Sequence, residues 1–517
     1  MTSTGCPCCA YPQPLSAPRL FSFVSGHRER RRATRTTQQV HGAVDTASPR
    51  ALLLDGGTVV DPRDGSTAAN VVIRIEDGRI VEVSSRGEPV ADASADRIDA
   101  TGKFVVPGYN DMHSHALNLN DPSGSLALML AEGVTGFRQM SGSPALLKNR
   151  RDNALPIGPA APALLETPGA ILTPLNAGSR GAVAAEIRRQ QAQGADFLKM
   201  VMADPDVFMA AVEEAVAVGM PILGHLQEGV DLVSAARAGF RCVEHLGPGS
   251  SVWTSCSTID EQLRLQACQR QVPKAPPIKI PFLERIVAWR MQKLLVNPAA
   301  FSDPVDVARI QAALDTFSED NAAAVAGQLA EYGTWQVPTL VRLRSMQYAD
   351  APEYERDELL SYMPASNVKR WRKVTKKFQA LPAESRGTYR ALYPRQLSLT
   401  KLFAERGVPM MTGTDGGAMM GPGLTLRQEF AELAKAGLSP LKILQMTTTN
   451  PAEYLGRQDT MGTVEPGRHA DLIVLDANPL DDVENLHHIN AVVRAGKHYS
   501  AAELSALKTR AASSKGR

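Results

Sequence analysis

Two histidines one residue apart, His113 and His115 in NDMHSHALN, sit just behind the turn-forming VPGY in a chain with only ten histidines. On an extended strand, residues i and i+2 share a face, so both imidazoles can point the same way. Such a pair can hold one divalent cation, or can be two hydrogen-bonded histidines of no further consequence. Other ligand-type residues decide the matter. Lys199 ends the apolar run GADFLKM, His225 closes PILGHL, His245 closes CVEHL, and Asp415 closes MMTGTDGG. Each has an ordinary reading by itself: a lysine that snorkels or meets a carboxylate, core histidines, a turn-capping aspartate. A desolvated lysine can instead take up CO2 and become a carbamate, a carboxylate in all but name. Together, six such residues at the ends of apolar strand-like runs point to a metal centre.

The elements that must position them follow from the patterning. Eight short apolar runs alternate with amphipathic helical stretches: FVVPGYNDMH, GVTGFRQM, APALLETPG, ADFLKMVM, MPILGHL, FRCVEHL, GTWQVPTLV and VPMMTGTD. Strands each followed by helical sequence predict a distorted (β/α)8 TIM barrel, with chemistry at the C-terminal ends of the strands. The ligand-type residues fall at strands 1, 4, 5, 6 and 8 of that order. Two connections are long, from Gly247 to about Tyr332 and from about Arg342 to Gly407, and should contain their own structure. The second carries SNVKRWRKVTKKFQALP, a helix with a basic, solvated face. Outside the barrel, ALLLDGGTVVDP, NVVIRIEDGRIVEV and the C-terminal ADLIVLDANPL and INAVVRAGKHY read as hairpins, which predicts a small β-sandwich built from both chain ends. The expected organisation is a disordered or targeting segment at 1–48 and sandwich pieces at 49–106 and 459–505. The barrel takes 107–458 and a tail 506–517.

Composition excludes several classes. With 517 residues, 44% apolar content and a net charge of +2, no bulk field favours nucleic acid or a membrane surface, and no apolar run is long enough to span a bilayer. The six cysteines (Cys6, Cys8, Cys9, Cys242, Cys256, Cys268) lack the second close-spaced pair of a zinc ribbon, so neither disulfides nor a Cys metal site is expected. That fits a reducing, cytoplasmic setting, a small-molecule substrate, and a chain free to form homo-oligomers. Tyr109, Gln139, Gln227, Thr339 and Arg342 lie near strand ends and are candidates to line a pocket. Arg342 can grip a substrate carboxylate or lie exposed.

The ordered set VVPGYNDMHSH, GADFLKM, ILGHL, VEHLG, VPTLV, GTDGG and NPAEYLG…GTVEPGRHADLIVLD resembles the amidohydrolase superfamily, in particular its imidazolonepropionase-like and prolidase-like members, from about residue 51 to 500. The resemblance implies two divalent ions, most readily zinc. His113, His115 and Asp415 would hold the more buried ion and His225 and His245 the more exposed one, with Lys199 as N6-carboxylysine between them. It implies hydrolysis of an amide-type C–N bond, in a dipeptide, an N-acyl amino acid or a related molecule, by a metal-activated hydroxide. Asp415 would serve as both ligand and acid–base group. Alternatives are a mononuclear cyclic-amide or amidine hydrolase, in which Lys199 is only structural, and a non-catalytic scaffold, which would be expected to lack ligands that are all present here.

Overall fold

Tight turns organise the two ends of the chain. In a computed structural model that describes residues 51–87, 95–269, 296–416 and 423–514, strands β1 (Leu52–Val60), β2 (Thr67–Glu76), β3 (Arg79–Ser85), β4 (Asp96–Asp99) and β5 (Phe104–Pro107) occupy the N-terminal portion. β2 and β3 are joined by Asp77-Gly78, both at positive φ (48° and 74°), the backbone that a two-residue hairpin turn requires. The segment 1–48, expected to be disordered or targeting, lies outside the described residues.

Seven strands follow in the central portion: β6 (Tyr109–Ser114), β7 (Val134–Gln139), β8 (Ala163–Glu166), β9 (Leu198–Met200), β10 (Ile222–Gly224), β11 (Cys242–Glu244) and β12 (Trp335–Val337). They form two parallel sheets, β6-β7-β8 and β12-β11-β10-β9. Parallel neighbours need crossover connections, and helices such as Pro205–Ala217 and Leu232–Ala238 supply them. The fold is therefore α/β with parallel sheets. Isolated parallel bridges link Leu172 to Met200, Gln336 to Met410 and Ser114 to Gly416.

The segment expected as the eighth strand, VPMMTGTD, makes the Met410 bridge, with the Gly416 bridge just past its end, and forms no regular ladder. Pro409 has no N–H to donate, and only its carbonyl is used, by Gln336 N at 2.9 Å. Met112 N donates to Thr412 O at 3.0 Å on the other side. The expected first strand, FVVPGYNDMH, also divides. Its first half, β5, pairs with β1 and with β13 (Leu472–Leu475), whereas its second half, β6, pairs with β7. Gly108 at the junction has no room for a side chain: a Cβ there would lie 2.0 Å from Thr135 Oγ1. Gly108→Ala is accordingly expected to cost about 1–3 kcal/mol, read as a lower urea midpoint; an unchanged midpoint would mean that β7 yields freely.

β13 also pairs with β14 (Ile489–Arg494), and β14 with β15 (Lys497–Ser500), so both chain ends share one eight-stranded sheet through the β5–β13 contact. The last helix, Ala501–Ser514, packs Leu504 and Leu507 against Leu130 of helix Pro122–Ala131, with Lys508 paired to Glu132 at 2.6 Å. The long connections are largely helical where described, including Pro304–Asp315, Glu319–Tyr332, Ala365–Gln379 and Ala383–Glu405. Lys369, Arg372, Lys373 and Lys376 lie exposed on the expected basic helix. No helix among the described residues is long and apolar enough to cross a membrane. Among the described residues, Cys242 and Cys256 are buried free thiols.

Candidate metal centre

Five of the six ligand-type residues singled out above sit at, or just past, the C-terminal end of a parallel strand, and the sixth lies beside one. β6 carries His113, with His115 one residue beyond its end; β9 carries Lys199; His225 and His245 directly follow β10 and β11; Asp415 lies in the irregular segment beside β6. The four imidazoles gather into one cluster, with ring centroids 4.6 Å apart for His113–His245, 5.2 Å for His225–His245 and 5.5 Å for His113–His115. Asp415 Oδ1 lies 3.1 Å from His115 Nε2 and 3.5 Å from His113 Nε2. Ligand atoms of His113, His115 and Asp415 all lie within 4.8 Å of one another, close enough to share an ion.

Local backbone strain concentrates here. His245, Leu246, Thr339 and Asp415 all have positive φ (60°, 53°, 48° and 53°), a region that costs residues with a Cβ roughly 1–3 kcal/mol each and that recurs at functional sites. Neighbouring strands hold these conformations. His245 N donates to Val337 O at 2.9 Å and Asp415 N to His113 O at 2.8 Å. Gly413 lets this segment approach β6, since a Cβ there would lie 2.7 Å from that of His113.

Electrostatics keep the donors in the forms a cation needs. Burial holds His113, His225 and His245 well below the ordinary imidazole range, helped by Lys199 beside the first two and by His113 beside the third, so these rings are neutral at neutral pH. Burial opposes ionisation of Asp415, yet the hydrogen bond with His115 and the electrostatic pull of the neighbouring imidazoles and of the Arg342 guanidinium prevail and hold its carboxyl well below the usual range. Burial also lowers Lys199, against the pull of Glu244 and Asp415. Its Nζ is enclosed with no hydrogen-bond partner among the described residues, a costly arrangement for an amine unless a further group completes it. Neutral imidazoles, an ionised carboxylate and an orphaned buried amine together fit a divalent metal site.

Of the partners that orient the rings, only Thr339 stood among the residues singled out from the sequence, and there as a pocket-lining candidate. His113 Nδ1 lies 2.6 Å from Glu244 Oε2, and Glu244 Oε1 accepts from Arg138 Nη2 at 2.8 Å. His115 Nδ1 meets Ser141 Oγ at 2.7 Å, and His245 Nδ1 meets Thr339 Oγ1 at 2.6 Å. Asp111 accepts from Thr414 Oγ1 at 2.7 Å and from His113 N at 3.1 Å, and burial pushes its carboxyl up to about 6. A signal for one pair existed: GFRQM and CVEHL each place one charged side chain, Arg138 and Glu244, within a strand-like run, and buried charges are paired.

The candidate lining residues prove to be mostly framework. Tyr109 is buried and donates to Leu486 O at 2.8 Å. Gln139 is buried against Ser141 O and Leu117 N. Gln227 ties Val201 and Ala203 to the strand end at His225, and Thr339 serves His245. Arg342 is buried rather than exposed, and its Nε donates to Asp415 Oδ2 at 3.1 Å.

Comparison with known proteins gives a local family match and a shared fold. The profile of the amidohydrolase family matches residues 390–498. The dihydroorotase of Anaeromyxobacter sp. (strain K) is 36% identical over 83 residues, 16% of this chain and 18% of that enzyme. The imidazolonepropionase of Caldanaerobacter subterraneus subsp. tengcongensis is 34% identical over 96 residues, 18% of this chain and 23% of that one. These matches thus span less than a quarter of the curated relatives' length. Among solved structures, bottromycin amidohydrolase superposes with a TM-score of 0.65 at 22% identity, covering 90% of this chain and 91% of that one. A Xaa-Pro dipeptidase with methionine bound in its active site gives 0.58 at 18% identity, covering 87% and 100%. At such identities the likeness speaks to fold. Residues 390–498 thus match the amidohydrolase family, and most of the chain shares the fold of the amidohydrolase structures.

Proposed function

We propose that this protein is a metal-dependent hydrolase that cleaves an amide-type C–N bond of a small molecule, such as a dipeptide or an N-acyl amino acid. The convergence of His113, His115 and Asp415 within 4.8 Å carries this reading. In it, the linked parallel strands form a distorted (β/α)8 barrel, and the eight-stranded sheet belongs to a flanking β-sandwich. His113, His115 and Asp415 would hold one divalent ion, most readily zinc, and His225 and His245 a second, with Lys199 contributing between them as a carbamate. When bound, such ions polarise a carbonyl and lower the pKa of water toward neutrality.

The chain's own residues supply the rest. Burial favours the neutral amine of Lys199, whose Nζ lone pair can attack CO2. The new N–C bond replaces one N–H, and the proton leaves to solvent. Asp415, ionised and fixed by Arg342 Nε on Oδ2, accepts the proton of the attacking water on its carboxylate and returns it to the leaving nitrogen. The buried framework around His113 and His245 keeps both rings oriented without rearrangement during turnover.

A one-ion centre acting on cyclic amides or amidines is the second reading. It is favoured by the fact that, among the described residues, only the His113–His115–Asp415 trio draws together into a compact ligand set. Lys199→Ala separates the two. With bicarbonate supplied and chelator omitted, elemental analysis is expected to find about two metals per chain in the parent and about one or fewer in the variant. About one in both would establish the one-ion reading, and none in either would refute a metal centre.

A further inference from the structure

We propose that Glu244, anchored by Arg138, is a positioning residue that locks His113 into the single tautomer able to bind metal. The inference rests on the metal-centre reading above and identifies what enforces that centre at one ligand.

His115 and His245 direct Nδ1 at hydroxyls, Ser141 Oγ at 2.7 Å and Thr339 Oγ1 at 2.6 Å. A hydroxyl both donates and accepts, so either tautomer of those rings is satisfied. His113 instead faces a carboxylate oxygen, Glu244 Oε2 at 2.6 Å, and an ionised carboxylate only accepts. The proton of neutral His113 must then reside on Nδ1, which leaves the Nε2 lone pair directed toward Asp415 Oδ1, 3.5 Å away.

Glu244 has no freedom to relax from this arrangement. Its side chain is fully buried, as is that of Arg138, whose Nη2 donates to Glu244 Oε1 at 2.8 Å and whose Nε donates to Met112 O at 2.7 Å. The guanidinium is further enclosed by the rings of Tyr454 and Phe197, at 5.0 and 5.7 Å from their centroids. Since Met112 immediately precedes His113, Arg138 holds both the carboxylate and the backbone of the ligand strand. Glu244 also directly precedes His245, so one short strand, β11, ends by orienting one candidate ligand and presenting another.

A competing account is that Glu244 is only the counter-ion of Arg138, with His113 a bystander. Glu244→Gln distinguishes the two. Arg138 is an obligatory donor, so the amide oxygen must turn to it, and the amide NH2 then faces His113 Nδ1. Shape and the Arg138 contact survive, but His113 is driven to the tautomer with its proton on Nε2, where metal would bind.

The expected result is that Glu244→Gln folds and binds zinc about 10- to 100-fold more weakly in a chelator-competition titration. The d–d spectrum of the cobalt(II)-loaded protein should shift as well. In a His113→Ala background the same substitution should cause no further loss, because its effect runs through that ring. Zinc affinity within twofold of the parent, or an equal loss in the His113→Ala background, overturns the proposal. Should Glu244→Gln fail to fold, the parent decides: ring 15N shifts of metal-free protein, assigned to His113 by their loss in His113→Ala, must report a protonated Nδ1. A protonated Nε2 overturns the proposal. A parent that binds no zinc but shows protonated Nδ1 would instead refute the metal-centre reading and leave the Glu244 lock standing.

Discussion

Asp415→Asn is expected to lose about 10²- to 10⁴-fold in kcat while retaining most of its bound metal. The carboxylate has two separable tasks in the proposed reaction. Oδ1, near His113 and His115, contributes to holding an ion, and an amide oxygen can still do this, although less well. Accepting a proton from water and passing it to a leaving nitrogen requires a carboxylate, which an amide cannot replace. Arg342 Nε, now on Oδ2, competes with the ion for the single amide oxygen, so some metal loss accompanies the loss of turnover. The check is kcat on the best dipeptide or N-acyl amino acid found by screening, alongside elemental analysis of the same preparation. Near-parental turnover with full metal loading would remove Asp415 from the acid–base role. Proportional loss of metal and activity would reduce it to a ligand.

The second large effect concerns stability. Arg138→Met removes the cation that faces Glu244 in a wholly buried site, leaving that carboxylate with His113 and the weak Cys242 thiol at 3.6 Å. Breaking a buried pair from one side costs about 3–5 kcal/mol, because the remaining charge is neither hydrated nor paired. A large downward shift of the urea midpoint should follow. The paired substitution Arg138→Met with Glu244→Leu should recover part of that loss, since an apolar pair carries no stranded charge. If Arg138→Met alone left the midpoint unchanged, Glu244 would have to be uncharged in the folded protein. The carboxylate contact invoked for His113 would then need revision.

Much of the candidate centre could be read from local sequence because its residues obey local rules. His113 and His115 share a strand direction through the two-residue period, and Lys199, His225 and His245 each end a short apolar run between helical stretches. The Asp77-Gly78 hairpin was likewise legible, since positive φ at both positions is a property of the turn itself. These features cost the chain little to specify: each depends on a few neighbouring residues and on strand or turn geometry.

Other features depended on pairing between distant segments. VPGY marks a turn at Gly108 but not that β5 and β6 join different sheets there; that division comes from β13 claiming β5 while Thr135 on β7 closes over the glycine. The VPMMTGTD segment keeps the expected place beside β6 and β12 but bridges them without a ladder, since Pro409 cannot donate and Asp415 turns to positive φ. Arg342 illustrates the same limit for function. From its position it could grip a substrate or face solvent, and only the fold brings it to Asp415 across 73 residues of chain. The Glu244–His113 and Arg138–Glu244 contacts span 131 and 106 residues. The sequence by itself determined which side chains could ligate and on which elements they ride, because those follow from short-range periodicity. Tertiary structure alone decided which nitrogen of the His113, His115 and His245 rings is held and by what, because hydrogen-bond direction is fixed by the packing of segments that are distant in the chain.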